Sequence, residues 1–108
     1  MTRRDDEWLA DIVVAIDAID EYVDGGDLHQ GVVYDACRAR LMEIGEAVKH
    51  IDPETLAREP EVAWNQIARM RDLLVHHYHD TDFAVVQAVI MERLPALRVA
   101  VIALQSPG

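Results

Sequence analysis

From Arg69 the chain reads Arg-Met-Arg-Asp-Leu-Leu-Val-His-His-Tyr-His-Asp, to Asp80. This stretch holds three of the five histidines, a tyrosine and two arginines. Imidazole takes and gives protons near neutral pH. Guanidinium grips phosphate oxygens with a planar fork. Arg71 and His76 therefore supply a cation and a proton-transfer group, the parts of a metal-independent ribonuclease. Such an enzyme needs a base for the 2′-hydroxyl, an acid for the leaving group and a cation on the phosphate. On a helix, Asp72 and His76 fall one turn apart on one face, where the carboxylate can fix the imidazole tautomer. Arg71 and Tyr78 are seven apart, nearly on one face. Arg71 and His76 are five apart, roughly 140° around an ideal helix. A long arginine closes part of that gap, and two-fold pairing of the helix with its copy would bring both sets to one cleft. A plainer use exists for the same residues, since histidines near a helix C-terminus are favoured by the dipole. His76 and His79 have the spacing of two metal ligands, but no third ligand lies nearby in sequence, and no metal or cofactor is expected.

Helices must position these groups. Trp8, Ile12, Ala15, Ile16, Ile19 and Val23 recur at steps of three and four, which predicts an amphipathic helix over about 5–23. Asp24-Gly25-Gly26-Asp27 stops it. A second helix over about 29–51 carries Val33, Cys37, Leu41, Ile44, Val48 and Ile51. Gly45 inside it marks a tight crossing with a neighbour. Asp52 and Pro53 suit the N-cap and first position of a short helix. A third helix runs from near Trp64 to His79, with Ile67, Met70 and Leu74 on its stripe. Thr81 or Asp82 is expected to cap a fourth, and Pro95 to kink or break it. Leu97, Val101 and Leu104 continue the stripe.

The expected fold is all-α, an up-and-down bundle of four to five helices forming a single domain over 1–108. Surplus aliphatic residues at 12–14 and 99–104 point to burial in a homodimer. Twenty acids against ten bases give a net charge of −10. That argues against a long basic groove for nucleic acid and leaves room for a small phosphate site. Nine of the acids fall in residues 1–27, which directs attention away from that stretch. The single cysteine, Cys37, forms no internal disulfide and reads as a small buried hydrophobe. No apolar run approaches the roughly 20 residues that span a bilayer, and the N-terminus turns acidic where a signal peptide would turn apolar. A cytoplasmic protein without membrane contact is expected.

Arg71, four residues, His76, one residue, Tyr78 resembles the Arg-x4-His-x-Tyr motif of HepT-like proteins in the HEPN superfamily. Asp72 occupies the polar position that commonly follows the motif arginine. Ile44-Gly45-Glu46-Ala47, Trp64-Asn65-Gln66-Ile67, Asp82 and Leu94-Pro95-Ala96-Leu97 also fit, in order along nearly the whole chain. The resemblance implies a homodimeric endoribonuclease toxin of a toxin–antitoxin pair, with RNA as substrate. It implies a minimal nucleotidyltransferase (MNT) antitoxin as partner, which transfers AMP from ATP to the motif tyrosine. Carried over, Arg71 and His76 are catalytic, Asp72 supports them and Tyr78 is the modification site. The resemblance gives Glu46 no firm role. The alternative is a non-catalytic helical module that docks a nucleotidyltransferase and regulates it.

Overall fold

The computed structural model describes residues 3–76 and 80–105, with the side chains of Arg3 and of residues 80–82 left aside. Within these residues the chain is helical, with no strand. Helix α1 (Arg3–Gly25) and helix α2 (Gly31–His50) form an antiparallel pair. The turn between them is tied by Asp27, whose carboxylate accepts from the His29 N–H at 2.8 Å. A single turn, α3 (Pro53–Leu56), leads to α4 (Trp64–His76). Then come α5 (Asp80–Ala88), a π-helical turn (Val89–Arg93) and α6 (Leu94–Gln105). Helix α2 packs against both α1 and α4, and α6 packs on α1.

The stripes expected from the periodicity are the ones that are buried. Leu9, Ile12, Ile16 and Ile19 of α1 meet Cys37, Leu41 and Ile44 of α2, all at most 1% exposed. Leu74 of α4, Val86 of α5 and Val101 and Leu104 of α6 complete the core. Burial also pushes the Cys37 thiol up from its usual range, as suits an inert packing residue. Asp52 caps α3 as expected, its carboxylate accepting from the Glu54 N–H at 3.0 Å with Pro53 next in line. Asp5, one of the nine acids of residues 1–27, is only 3% exposed. It accepts from Thr55 Oγ1 at 2.8 Å and from the Asp52 N–H at 3.2 Å, so the start of α1 is pinned to α3.

Two expectations are corrected. Helix α5 already includes Asp80, so Thr81 and Asp82 lie inside its first turn and do not precede it as caps. Pro95 does not end the run. The chain stays helical from 80 to 105, and the ladder widens just ahead of the proline, where the Leu94 N–H reaches the Val89 carbonyl five residues back. Helix α5 docks on the start of α2 and the turn before it through stacked rings, Phe83 on His29 of the turn at 4.6 Å and on Tyr34 of α2 at 5.9 Å between centroids.

The expected tight crossing lies where α2 meets α4. A Cβ added at Gly45 would stand 2.7 Å from Arg71 Cβ and 3.0 Å from the Ile67 carbonyl oxygen, which belongs to helix backbone and cannot swing aside. Gly31, by contrast, has nothing within 4 Å of such an atom. Gly45→Ala is therefore expected to destabilise the protein by about 1–3 kcal/mol, the usual cost of overpacking. Gly31→Ala should be neutral or stabilising by up to about 1 kcal/mol. Urea unfolding of the two variants checks both signs.

Candidate functional site

Arg71 emerges from α4 directly over Gly45, and its guanidinium is held between two helices. Its Nε lies 3.5 Å from Glu46 Oε2 of α2. Its Nη1 donates to Asp72 Oδ1 at 3.2 Å. The same Asp72 oxygen accepts from Lys49 Nζ at 2.8 Å. Glu46 in turn faces His50, one helical turn on, with Oε1 3.0 Å from Nε2. The His50 ring stacks on Trp8 of α1 at 4.6 Å and 12°. Arg4 lies over the Trp8 ring at 5.2 Å. Three helices thus feed one continuous polar chain that ends on Arg71.

The pairing of charges fixes protonation. Hydrogen bonds from Lys49 and then from Arg71 hold the Asp72 carboxyl below the usual carboxylate range. Asp72 is therefore a carboxylate throughout the neutral range, and it orients the arginine. The role expected for it from spacing was another, to accept from His76. No such bond exists among the described residues; Asp72 Oδ1 accepts from Lys49 and Arg71 instead.

His76 is exposed at the last residue of α4. Arg71 and His76 do not open onto the same space. Arg71 lines a cleft of about 490 Å³ with Trp8, Asp11, Val14, Arg40 and Glu46. His76 and Asp72 line a groove of about 590 Å³ between α4 and the α5–π wall, with Arg69, Leu73, Val85 and Arg93. The two cavities flank α4, as the roughly 140° between positions five apart requires. Tyr78, with His77 and His79, lies outside the described residues. Among the described residues no cluster of three or more histidine, cysteine, aspartate or glutamate side chains could hold a metal ion. No described helix is long and apolar enough to cross a membrane.

Several contributors were not legible as such. Residues 1–27, set aside for their acidity, supply Trp8, Asp11 and Val14 to the Arg71 cleft. Lys49 is 23 residues from Asp72, and no spacing rule connects them. Glu46 did carry a signal, since it follows the glycine that sets the crossing.

Residues 12–104 match the model of the family described as HepT-like, Ribonuclease HepT-like. A protein of Thermococcus cleftensis named "Probable ribonuclease HepT" is 33% identical over 103 residues, covering 91% of this chain and 93% of its own. A candidate RNase of Methanocaldococcus jannaschii is 35% identical over 55 residues, covering 51% of this chain and 46% of its own. Another from the same organism is 26% identical over 103 residues, covering 91% of this chain and 94% of its own. No solved structure matches.

The Asp72 contacts generate a measurable expectation. Lys49→Gln removes the leading cause of the lowered value, so the Asp72 carboxyl should titrate closer to the usual range, followed by carboxyl carbon NMR. The sign for stability is set by the same shift. A depressed folded-state value stabilises above the unfolded pKa, and that stabilisation fades as pH falls through the folded one. The wild type should retain this contribution to lower pH than Lys49→Gln.

Proposed function

The chain belongs to the HepT-like ribonuclease family, and from that premise we propose that it is a metal-independent endoribonuclease toxin, working as a homodimer and silenced by AMP transfer to Tyr78. The observation that carries this reading is the posture of Arg71. Glu46 engages Nε and Asp72 engages Nη1, and Nη2 has no partner among the described residues. A guanidinium held in this way presents its remaining edge to a phosphate without losing orientational freedom on binding.

His76 is the proton-transfer group. In one chain it opens onto a different cavity from Arg71. A second copy related by a two-fold axis brings one chain's His76 toward the other's Arg71, and gives the site two imidazoles. One takes the proton of the 2′-hydroxyl, and that oxygen attacks phosphorus. The other protonates the departing 5′-oxygen. Products are a 2′,3′-cyclic phosphate and a 5′-hydroxyl. Arg71 offsets the charge that builds on the phosphate oxygens. Aliphatic side chains left in water support the pairing: Val14 is 58% exposed in the Arg71 cleft, and Val99 is 70% and Ile102 40% exposed on α6.

Tyr78 follows His76 by two residues in the sequence. A nucleotidyltransferase partner that joins AMP to its hydroxyl adds a negative phosphodiester and a nucleotide's bulk. Beside Arg71 and His76 that group competes for the cation meant for RNA and fills the space around it.

His76→Ala should slow RNA cleavage by about 10²–10⁴-fold, the usual weight of an acid–base group, and Arg71→Ala by about 10²–10³-fold, that of a lost charge-stabilising donor, with the fold retained by circular dichroism. A chelator should leave the wild-type rate unchanged, and product ends should be cyclic phosphates. Wild type and both variants equally inert on RNA would leave the reading of a non-catalytic module that docks a nucleotidyltransferase. Light scattering should report a dimer at micromolar concentration. Intact mass after co-expression with an active nucleotidyltransferase neighbour should show one or more added AMP groups. They should map to Tyr78 and vanish in Tyr78→Phe.

A further inference from the structure

Most cations of this chain are already engaged. Arg38 donates to the Leu74 carbonyl. Arg40 pairs with Glu43 at 3.1 Å, Lys49 with Asp72 at 2.8 Å and Arg98 with Asp17 at 3.0 Å. Arg71 sits between Glu46 and Asp72, Arg58 has a partner, and Arg4 lies over Trp8. In a protein with twice as many acids as bases this is the expected outcome. Among the described residues two arginines depart from it. Arg69 and Arg93 are exposed, and neither has an ion pair or hydrogen bond among the described residues. Arg69 comes from α4 and Arg93 from the last position of the π-turn, 24 residues apart in sequence. Both line one groove, and the same groove contains His76.

We propose that this groove binds a single-stranded RNA backbone on its way to the reacting phosphate, with Arg69 and Arg93 holding flanking phosphates from opposite walls. The proposal rests on the reading of His76 as the proton-transfer group. The one carboxylate in the lining among the described residues, Asp72, already answers Lys49 and Arg71 and does not repel the strand as a lone charge would. The floor between the arginines is aliphatic, with Met70, Leu73, Val85 and Val89. Leu73 is 41% exposed there. A duplex presents phosphates and riboses outward and would leave that floor uncovered. A single strand turns base faces toward it. Among the described residues the lining has no Phe, Tyr or Trp, so recognition rests on backbone charge and is tolerant of sequence.

The test is binding of a fluorescent 2′-O-methyl single strand, which lacks the nucleophile and is not cut, to the full chain across a salt series. Arg69→Gln and Arg93→Gln should each flatten the plot of log affinity against log salt by about 0.7, and the double variant by about 1.4. On cleavable RNA they should raise KM and leave kcat within a few-fold. Arg98→Gln makes the same change in net charge away from the groove and should leave the slope unaltered. An unchanged slope in the double variant overturns the proposal, as does equal flattening by Arg98→Gln or duplex RNA bound as tightly as the single strand. A double variant that turns monomeric while keeping the wild-type slope assigns the groove to a subunit contact and overturns it too. Wild type that binds with the expected slopes but cuts no RNA supports the groove and removes the ribonuclease reading, so the two fail separately.

Discussion

The site depends on one close approach. At Gly45 the missing side chain lets α2 and α4 come together until Arg71 Cβ occupies the space a Cβ at 45 would need. Sterics set the crossing, and the next residues of α2 then act on the groups it brings near. Glu46 meets the guanidinium of Arg71, and Lys49, one turn along α2, meets Asp72. These partners are between a third and a half exposed. Exposed pairs contribute about 0–1 kcal/mol each, so they orient the arginine more than they hold the helices. The holding is done by Ile44, Val48, Ile67, Met70 and Leu74, buried along the same crossing. Packing and orientation are thus divided between neighbouring residues of one helix.

A net charge of −10 and an RNA substrate look opposed, and the layout of charge reconciles them. At physiological salt, exposed charges are screened beyond about 8 Å. A strand meets the local set of groups, and the acids nearest Arg71 are matched by Lys49 and by the arginine itself. Asp5 is spent on Thr55 and Asp17 on Arg98. The remaining acids cost long-range attraction, which slows encounter more than it weakens a formed contact.

Helix existence and the buried stripes were legible because period and burial are two views of one requirement. The Asp52–Pro53 start and the Gly45 crossing were legible because each rests on a local steric rule. The partner of Asp72 was not. Spacing placed it on one face with His76, but a helix face says which direction a side chain leaves, and only the tertiary neighbour decides what it meets. Lys49 wins as a formal charge at 2.8 Å. The acidity of residues 1–27 misled for a related reason. Trp8, Asp11 and Val14 line the cleft because α1 packs on α2, a fact that composition does not contain. Spacing did foresee that Arg71 and His76 would diverge around α4.

The run through Pro95 shows why the helix, expected to kink or break there, widens and continues instead. Val86 is fully buried and Leu94, eight residues on, is 2% exposed, so both must face the core. An unbroken α-helix would set them about 80° apart. The π-turn at Val89–Arg93 accommodates one extra residue and rotates the downstream helix by about 100° the other way, which leaves them within about 20°. Pro95 makes this the cheapest place for it, since its missing N–H already weakens the α ladder one turn back, at Met91. The widened turn ends at Arg93, with Val89 at its start, and both line the groove that holds His76. The irregularity that keeps the core stripe in register therefore also builds the wall across from α4.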